Sequence, residues 1–255
     1  MYELPVTHPN VIQLFQAGGP NDTMLFATLA GHYPGRALVD DPHVPSQCLL
    51  RTNYGTTFFG GQVTDCFLAD AVTALRTSGA VKLVASEQDV VRYQFPIGYS
   101  RINNRLEFVT REQSQGHLEG LAQQLPSACR LVPMDRTLLA QALWREEIME
   151  ACGSTDNFFA YGLGLCLLCQ DEIVSEAYVM FEGAGRIELG VVTRAAYRGH
   201  NYAAITCAPL IMRCEARGKP TYWSCYQTNT QSIQVARKLG YGGKRVYRWI
   251  RYEST

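Results

Sequence analysis

Hydrophobic and polar positions in the second half of the chain switch between two periods. Over residues 186–193, Ile187, Leu189 and Val191 alternate with Glu188, Gly190 and Val192, which is the period-two pattern of a strand. A short polar connection with Arg198, Gly199, His200 and Asn201 follows. Small and apolar residues (Ala203, Ala204, Ile205, Ala208) then predict a helix to about residue 217, ended by Gly218 and Pro220. Pro209 lies inside that helix and predicts a kink or a break, because proline has no N–H to donate. Residues 221–226 read as a strand, 229–239 as a helix closed by Gly240, and 244–253 as a last strand with aliphatic or aromatic groups on both faces. Upstream, 129–135 is a strand. Asp135 caps a helix with Leu138, Leu139, Ala142 and Ile148 inward and Arg145, Glu146 and Glu147 outward. Residues 153–158 read as a loop, and 161–170 and 172–182 as two strands about a tight turn at Gln170 and Asp171. The order β-α-β-β-β-α-β-α-β predicts an α/β (α+β) fold, a mixed sheet with helices on its faces.

The first half predicts two short helices, at 11–18 and 21–32, the second capped by Asn21 or Asp22. A short strand at 37–41 and a hairpin at 47–62 about Asn53, Tyr54 and Gly55 follow. Thr64 caps a helix to about Thr77, with Phe67, Leu68, Ala71, Val72 and Leu75 on one face and Gly79 after its end. Further strands are expected at 80–86 and 104–111. Residues 112–128 are polar and hold Gly, Pro and Ser, which predicts a domain boundary there. That division gives a smaller N-terminal α/β domain, 1–125, and a second domain, 129–255.

Composition narrows the function classes. A chain of 255 residues suffices for one large domain or two smaller ones, and 47% hydrophobic with 18% charged residues describes a globular protein. A formal net charge of zero points to no nucleic-acid partner and no anionic membrane. No apolar run approaches the ~20 residues of a membrane span. The start, MYELPVTHPN, lacks a basic region followed by an apolar core, so no secretion signal is expected. Nine cysteines are scattered, mostly among apolar residues, which predicts a cytoplasmic protein with reduced, core-filling thiols. Cys166 and Cys169 share a strand and should point to opposite faces, and no second pair follows at zinc spacing, so no metal is expected.

The candidate chemistry gathers at 186–206. A strand, a tight turn and a helix start present free backbone N–H groups and the positive end of a helix dipole, an arrangement that favours an anion. Gly199 allows close approach, Asn201 tolerates a positive φ, and Arg198 adds fixed charge. These features suggest a pyrophosphate cradle. A second segment runs from Trp223 through Ser224, Cys225 and Tyr226 to Asn229 and Ser232. The last two lie about one helical turn apart, so they could bond one ligand or simply cap the helix.

Together the two segments resemble the GNAT superfamily of acyl-CoA N-acetyltransferases. Its Q/R-x-x-G-x-G/A motif is matched by Arg198, Ala203 and the turn between them, with Asn201 at the middle glycine. Its later motif is matched by Asn229, Ser232, Ala236, Lys238, Leu239, Gly240 and Tyr241, with Val235 where the pattern has Leu. The spacing VVT-x-x-x-YRG, with Leu38-Val39-Asp40-Asp41 and Phe58-Phe59-Gly60-Gly61 upstream, resembles a two-domain branch that includes zwittermicin A resistance-type acetyltransferases. The resemblance implies a mostly antiparallel sheet, with residues 1–125 a degenerate GNAT-like half covering the acceptor site.

It also implies acetyl-CoA as co-substrate and no metal. Leu189, Gly190, Val191 and Val192 would hold the pantetheine. Arg198, Gly199, His200, Asn201, Tyr202 and Ala203 would hold the pyrophosphate, with Asn229 and Ser232 as further contacts. The acceptor would be a primary amine of a small polar molecule, an aminoglycoside or other amine antibiotic among them. An ordinary alkylammonium has a pKa of about 10.4 and must lose a proton before attack. Glu188 is the expected base, directly or through water, with Glu182 and Glu176 as runners-up. Many members protonate the leaving thiolate with a Tyr where this chain has Ala236, which leaves Tyr226 or Tyr241, Tyr226 being at the right strand end. Ser224 and Cys225 lack a His partner, so no covalent acyl-enzyme is expected. Asp40, Asp41, Glu172, Glu176, Glu182 and Glu188 suggest an acidic pocket for a cationic substrate. A non-catalytic acyl-CoA-binding sensor and a protein-directed acetyltransferase are the alternatives, and a homodimer stays open.

Overall fold

A computed structural model describes residues 1–255. The first half runs β1 (Tyr2–Leu4), α1 (Pro9–Ile12), α2 (Asp22–Leu29), β2 (Gly35–Val39), β3 (Gln47–Thr52), β4 (Thr56–Gly61), α3 (Asp65–Arg76), β5 (Val81–Ala85), α4 (Glu87–Arg92), β6 (Arg101–Arg111) and α5 (Gln115–Ala122). The second runs β7 (Cys129–Pro133), α6 (Arg136–Ala140), α7 (Arg145–Cys152), α8 (Thr155–Tyr161), β8 (Gly164–Cys169), β9 (Glu172–Gly183), β10 (Arg186–Thr193), α9 (Tyr202–Ala216), β11 (Thr221–Tyr226), α10 (Thr230–Lys238) and β12 (Tyr241–Tyr252).

All strands join one sheet in the order β1-β2-β3-β4-β5-β12-β6-β11-β10-β9-β8-β7. It is the expected mostly antiparallel α/β architecture, with parallel pairing only at β4/β5 and β10/β11. Each parallel joint is bridged by a crossover helix, α3 or α9, as parallel neighbours require. The two halves exchange their last strands: β6 pairs with β11 and β12, and β12 pairs with β5.

Apolar residues decide which helix covers which face. Leu106 and Phe108 of β6 and Trp223 and Cys225 of β11 pack with Ala208, Ile211 and Cys214 of α9 on one side of the sheet centre. On the other side Trp249 and Phe181 meet Met24 and Leu25 of α2, Ile148 of α7 and Phe158 of α8. Leu68, Val72 and Leu75 of α3 cover β3 and β5. Leu68 and Leu75 are fully buried, and such a side chain contributes about 1.5–3 kcal/mol.

Several expectations are corrected. The helix predicted from Asp135 divides into α6 and α7. The Leu143 and Trp144 N–H groups donate instead to the buried Glu176 carboxylate, at 2.8 and 2.9 Å, and this interrupts the helix. Helix α9 runs unbroken through Pro209. The bond lost there is outweighed by the full burial of Cys207, Ala208, Leu210 and Ile211. Helix α5 lies in the polar 112–128 stretch and buries Leu118 and Leu121. Helix α8 replaces the expected loop, capped by the Ser154 hydroxyl. Helix α4 starts with a Ser86–Asp89 capping box, and the first expected helix shrinks to α1. Cys129 and Cys169, directly opposite across β7 and β8 with Cα atoms 4.3 Å apart, form a disulfide where free thiols were expected. Cys166 and Cys169 do face opposite sides, in different core clusters.

Candidate active site

The site grows from the β10/β11 joint. These strands pair only at Ile187–Thr221 and Glu188–Tyr222. Opposite Glu188 and Leu189 the ladder with β9 carries a bulge, with Met180 of β9 as the extra residue. The strands then separate around a cavity of about 680 Å³. Leu189, Gly190, Val191 and Val192 line one wall, and Trp223, Ser224, Cys225 and Tyr226 line the other. Gly190 has no alternative: a Cβ there would lie 2.8 Å from the ring of Tyr178, its buried cross-strand partner. The cavity passes through the sheet. One mouth lies at the start of α9 and along α10; the opposite end is roofed by α2 and α7, with Met24, Trp144 and Glu147.

At the first mouth the turn is built from Gly199 at φ 87° and Asn201 at φ 64°, both left-handed. Asn201 is the N-cap of the 15-residue α9 but makes no side-chain cap bond. Its amide instead bridges Gln124 and the Lys238 ammonium, at 3.0 and 2.9 Å. The backbone N–H groups of residues 199–204 donate to nothing in the chain. A run of unpaired donors at a helix N-terminus is a ready anion site. Arg198 stands beside it, its Nε donating to the Thr193 carbonyl at 3.2 Å. Gly199, Asn201, Tyr202 and Ala203 line the cavity; His200 does not. Asn229 and Ser232 also line it while serving the fold. Asn229 Oδ1 accepts the Ser232 N–H at 3.0 Å, and Ser232 Oγ accepts from Trp223 Nε1 at 3.0 Å.

Cross-strand pairing builds a polar face on the other side. It aligns Ser224, Glu107 and Arg245 in one row and Tyr226, Arg105 and Tyr247 in the next. Glu188 is 7% exposed and has no direct ion pair. Its Oε1 accepts from the Ser224 hydroxyl at 2.6 Å and its Oε2 from the Tyr222 hydroxyl at 2.8 Å. The Thr23 hydroxyl lies 2.7 Å from that of Tyr222 and 3.4 Å from Oε2. Arg105 Nη2 donates to Ser224 Oγ at 3.0 Å, so one hydroxyl separates the guanidinium from the Glu188 carboxylate. Glu107, fully buried, takes the Arg245 guanidinium and the Asn21 N–H; burial raises its pKa, and Arg245 pulls it back only in part. Tyr226, 40% exposed, sets its ring edge-on to Trp249 at 5.8 Å, and its hydroxyl has no partner in the chain.

The other candidates lie elsewhere. Glu176 holds the α6–α7 break, and burial raises its pKa. Glu182 pairs with Lys219 at 3.3 Å. Tyr241 is buried with its hydroxyl 2.6 Å from that of Thr221. The expected acidic pocket does not assemble. Asp40 binds the Ser46 and Gln47 amides, Asp41 caps an exposed turn, and Glu172 pairs with Arg194 at 3.2 Å. Of that set only Glu188 lines the cavity. Sequence reasoning missed Asn21, Tyr54, Arg105, Trp144, Glu147 and Trp249 as lining residues. One signal was present: residues 104–111 put Leu106 and Phe108 on one face and Arg105 and Glu107 on the other.

The GNAT acetyltransferase family model matches residues 13–250. The chain is 25% identical over 226 residues to the uncharacterised N-acetyltransferase YdfB of Bacillus subtilis, covering 86% of each. Among solved structures, a GCN5-related N-acetyltransferase-like protein from Streptococcus suis 89/1591 aligns with a TM-score of 0.70 at 25% identity, over 94% of this chain and 96% of that one. A tandem GNAT protein from the clavulanic acid biosynthesis pathway aligns with a TM-score of 0.54 at 10% identity, over 94% and 90%, a likeness of fold alone.

Proposed function

Because the chain belongs to the GNAT acetyltransferase family, we propose that it transfers the acetyl group of acetyl-CoA directly to the primary amine of a small molecule. The observation that carries this reading is the run of unpaired N–H groups at 199–204, at one mouth of a cavity that reaches Glu188 through the sheet. Those amides and Arg198 suit a diphosphate. The free edge of β10 at Leu189, Gly190, Val191 and Val192 suits an extended amide-bearing arm.

When bound, acetyl-CoA supplies an acyl carbon on a thiol leaving group, so a C–N bond forms as the C–S bond breaks. Glu188, fixed by Ser224 and Tyr222, takes the ammonium proton directly or through a water. Tyr226, with its free hydroxyl on the cavity, gives a proton to the departing sulfur. Holding the two reactants in one cavity supplies much of the remaining acceleration. Ser224 donates to Glu188 and has no imidazole partner, which supports direct transfer over an acyl-enzyme.

We read the first half as a degenerate copy of the same fold. The order β2-β3-β4-α3-β5 repeats β8-β9-β10-α9-β11, each with one parallel joint. Beside the first joint Phe59 stacks on Tyr93 at 5.0 Å, and α2 and Tyr54 of this half roof the acceptor end. The carboxylates expected to greet a polycationic antibiotic are engaged elsewhere, so a resistance role of the zwittermicin A type gains no support from the site. CoA release from acetyl-CoA, followed over a panel of amines alongside calorimetric binding, tests the reading. Amine-dependent release supports it; tight binding without release from any amine would make the protein a sensor.

A further inference from the structure

Arg105 stands at the acceptor end of the cavity and is only 8% exposed. Its Nε donates to the Tyr247 hydroxyl at 3.1 Å and its Nη2 to Ser224 at 3.0 Å. Its guanidinium carbon lies 4.5 Å from the ring centre of Tyr226 and 4.1 Å from that of Trp249, so aromatic rings hold it in place. It pairs with no carboxylate of the chain, and its Nη1 N–H groups meet no acceptor. A guanidinium keeps its charge, and the carboxylate that compensates it, Glu188, stands one hydroxyl away and makes no direct contact with it.

Two further donors on this wall are buried without partners: Asn21 Nδ2, at 0% exposed, and Trp249 Nε1, on a residue 5% exposed. The network fixes which end of the Asn21 amide is free. Arg105 can only donate, so the Tyr247 hydroxyl accepts from it and donates onward to Asn21 Oδ1 at 2.5 Å. Nδ2 is then the open end. Buried polar groups are almost always paired in folded proteins, so the unpaired Nη1 side of Arg105 on the cavity calls for an acceptor-rich ligand group, and the unpaired Asn21 and Trp249 donors behind it add to the positive potential there.

We propose that the acceptor is an α-amino acid or close analogue, its carboxylate held by the open side of the Arg105 guanidinium, and its amino nitrogen beside Glu188. The inference rests on the acetyl-transfer reading and deepens it. One hydroxyl, Ser224, separates the anion-binding guanidinium from the base, which matches an amine and a carboxylate on one carbon. Apart from Glu147 on the roof, the rest of this end is apolar and aromatic, with Tyr54, Trp144, Phe181 and Met24, and suits a side chain such as that of phenylalanine, methionine or leucine. In the transfer the amino nitrogen gains the acetyl carbon and its proton goes to Glu188, while the carboxylate is unchanged.

The test measures CoA release with acetyl-CoA and L-phenylalanine, L-methionine or L-leucine, against their amides and the decarboxylated amines phenethylamine and isoamylamine. The amino acids should exceed both sets in kcat/KM by roughly 10²-fold, the effect of charged hydrogen bonds to a buried guanidinium. Arg105→Lys, which loses the planar fork, should narrow that ratio to less than about tenfold through the amino-acid KM, with acetyl-CoA affinity unchanged. The wild-type comparison decides the matter even if the variant fails to fold. Equal or better use of the decarboxylated amines would overturn the inference and leave acetyl transfer standing. No CoA release from any amine, with acetyl-CoA bound, would overturn both.

Discussion

Glu188→Gln separates the proposed base from its scaffold. Glutamine keeps the shape and one acceptor oxygen. Ser224 Oγ already accepts from Arg105, so it keeps its hydroxyl proton for an oxygen, and the new NH2 falls to the Tyr222 and Thr23 hydroxyls, 2.7 Å apart. Either hydroxyl can rotate to accept, so the fold should lose no more than about 1 kcal/mol. Removal of a general base costs about 10²–10⁴-fold in rate, or about 3–5 kcal/mol of barrier at 1.36 kcal/mol per decade. The expected result is a kcat lowered at least about 10²-fold, with acetyl-CoA affinity within about twofold and near-normal melting. CoA release at saturating substrates, calorimetry and thermal unfolding supply the three readouts. A well-folded variant whose kcat stays within about threefold of wild type would remove Glu188 from the mechanism.

Other perturbations follow from single contacts. Gly190→Ala sets a Cβ 2.8 Å from the buried Tyr178 ring and should cost about 1–3 kcal/mol with weaker acetyl-CoA binding; unchanged melting and affinity would contradict the packing. Glu176→Ala strips two backbone N–H groups of their acceptor and should cost about 2–5 kcal/mol by denaturant titration, against under about 1 kcal/mol if the α6–α7 break does not depend on it. Burial, chiefly, draws the Lys82 ammonium down to about 8 from its usual 10.5, beneath the Tyr54 ring at 4.0 Å. The folded chain therefore releases that proton first, and this site adds stability as pH rises from 8 to 10.5, with no further change below 8. A lysine side-chain NMR titration should show a midpoint near 8; one near 10.5 would refute the burial argument.

What was legible in the chain followed local rules. The strand–turn–helix at 186–216 and the helix closed by Gly240 are written in short-range periodicity, capping and glycine placement. The left-handed Asn201 follows from residue type. Non-local pairing was not legible. Nothing within residues 101–111 says that β6 lies between β11 and β12, because a strand's neighbours are chosen by the whole sheet. The Arg105 environment depends on that insertion, since Tyr226 and Tyr247 flank it only across two different strands. Helix α5 was hidden because its sequence is polar, and α8 because Gly153, Ser154, Asp156 and Asn157 read as turn residues; a few buried residues, Leu118, Leu121 and Phe158, suffice to dock them. The acidic pocket failed for a related reason: a carboxylate's partner cannot be read from its neighbours in sequence, and Glu176, Glu182 and Glu172 each found one elsewhere.

The central claim is that the unpaired amides of 199–204 receive a diphosphate. A calorimetric comparison of acetyl-CoA with acetylpantetheine, which lacks the diphosphate and nucleotide, tests it most directly. Charge-assisted bonds to those amides predict acetyl-CoA binding tighter by at least about 10²-fold. Equal affinity for the two compounds would contradict the account.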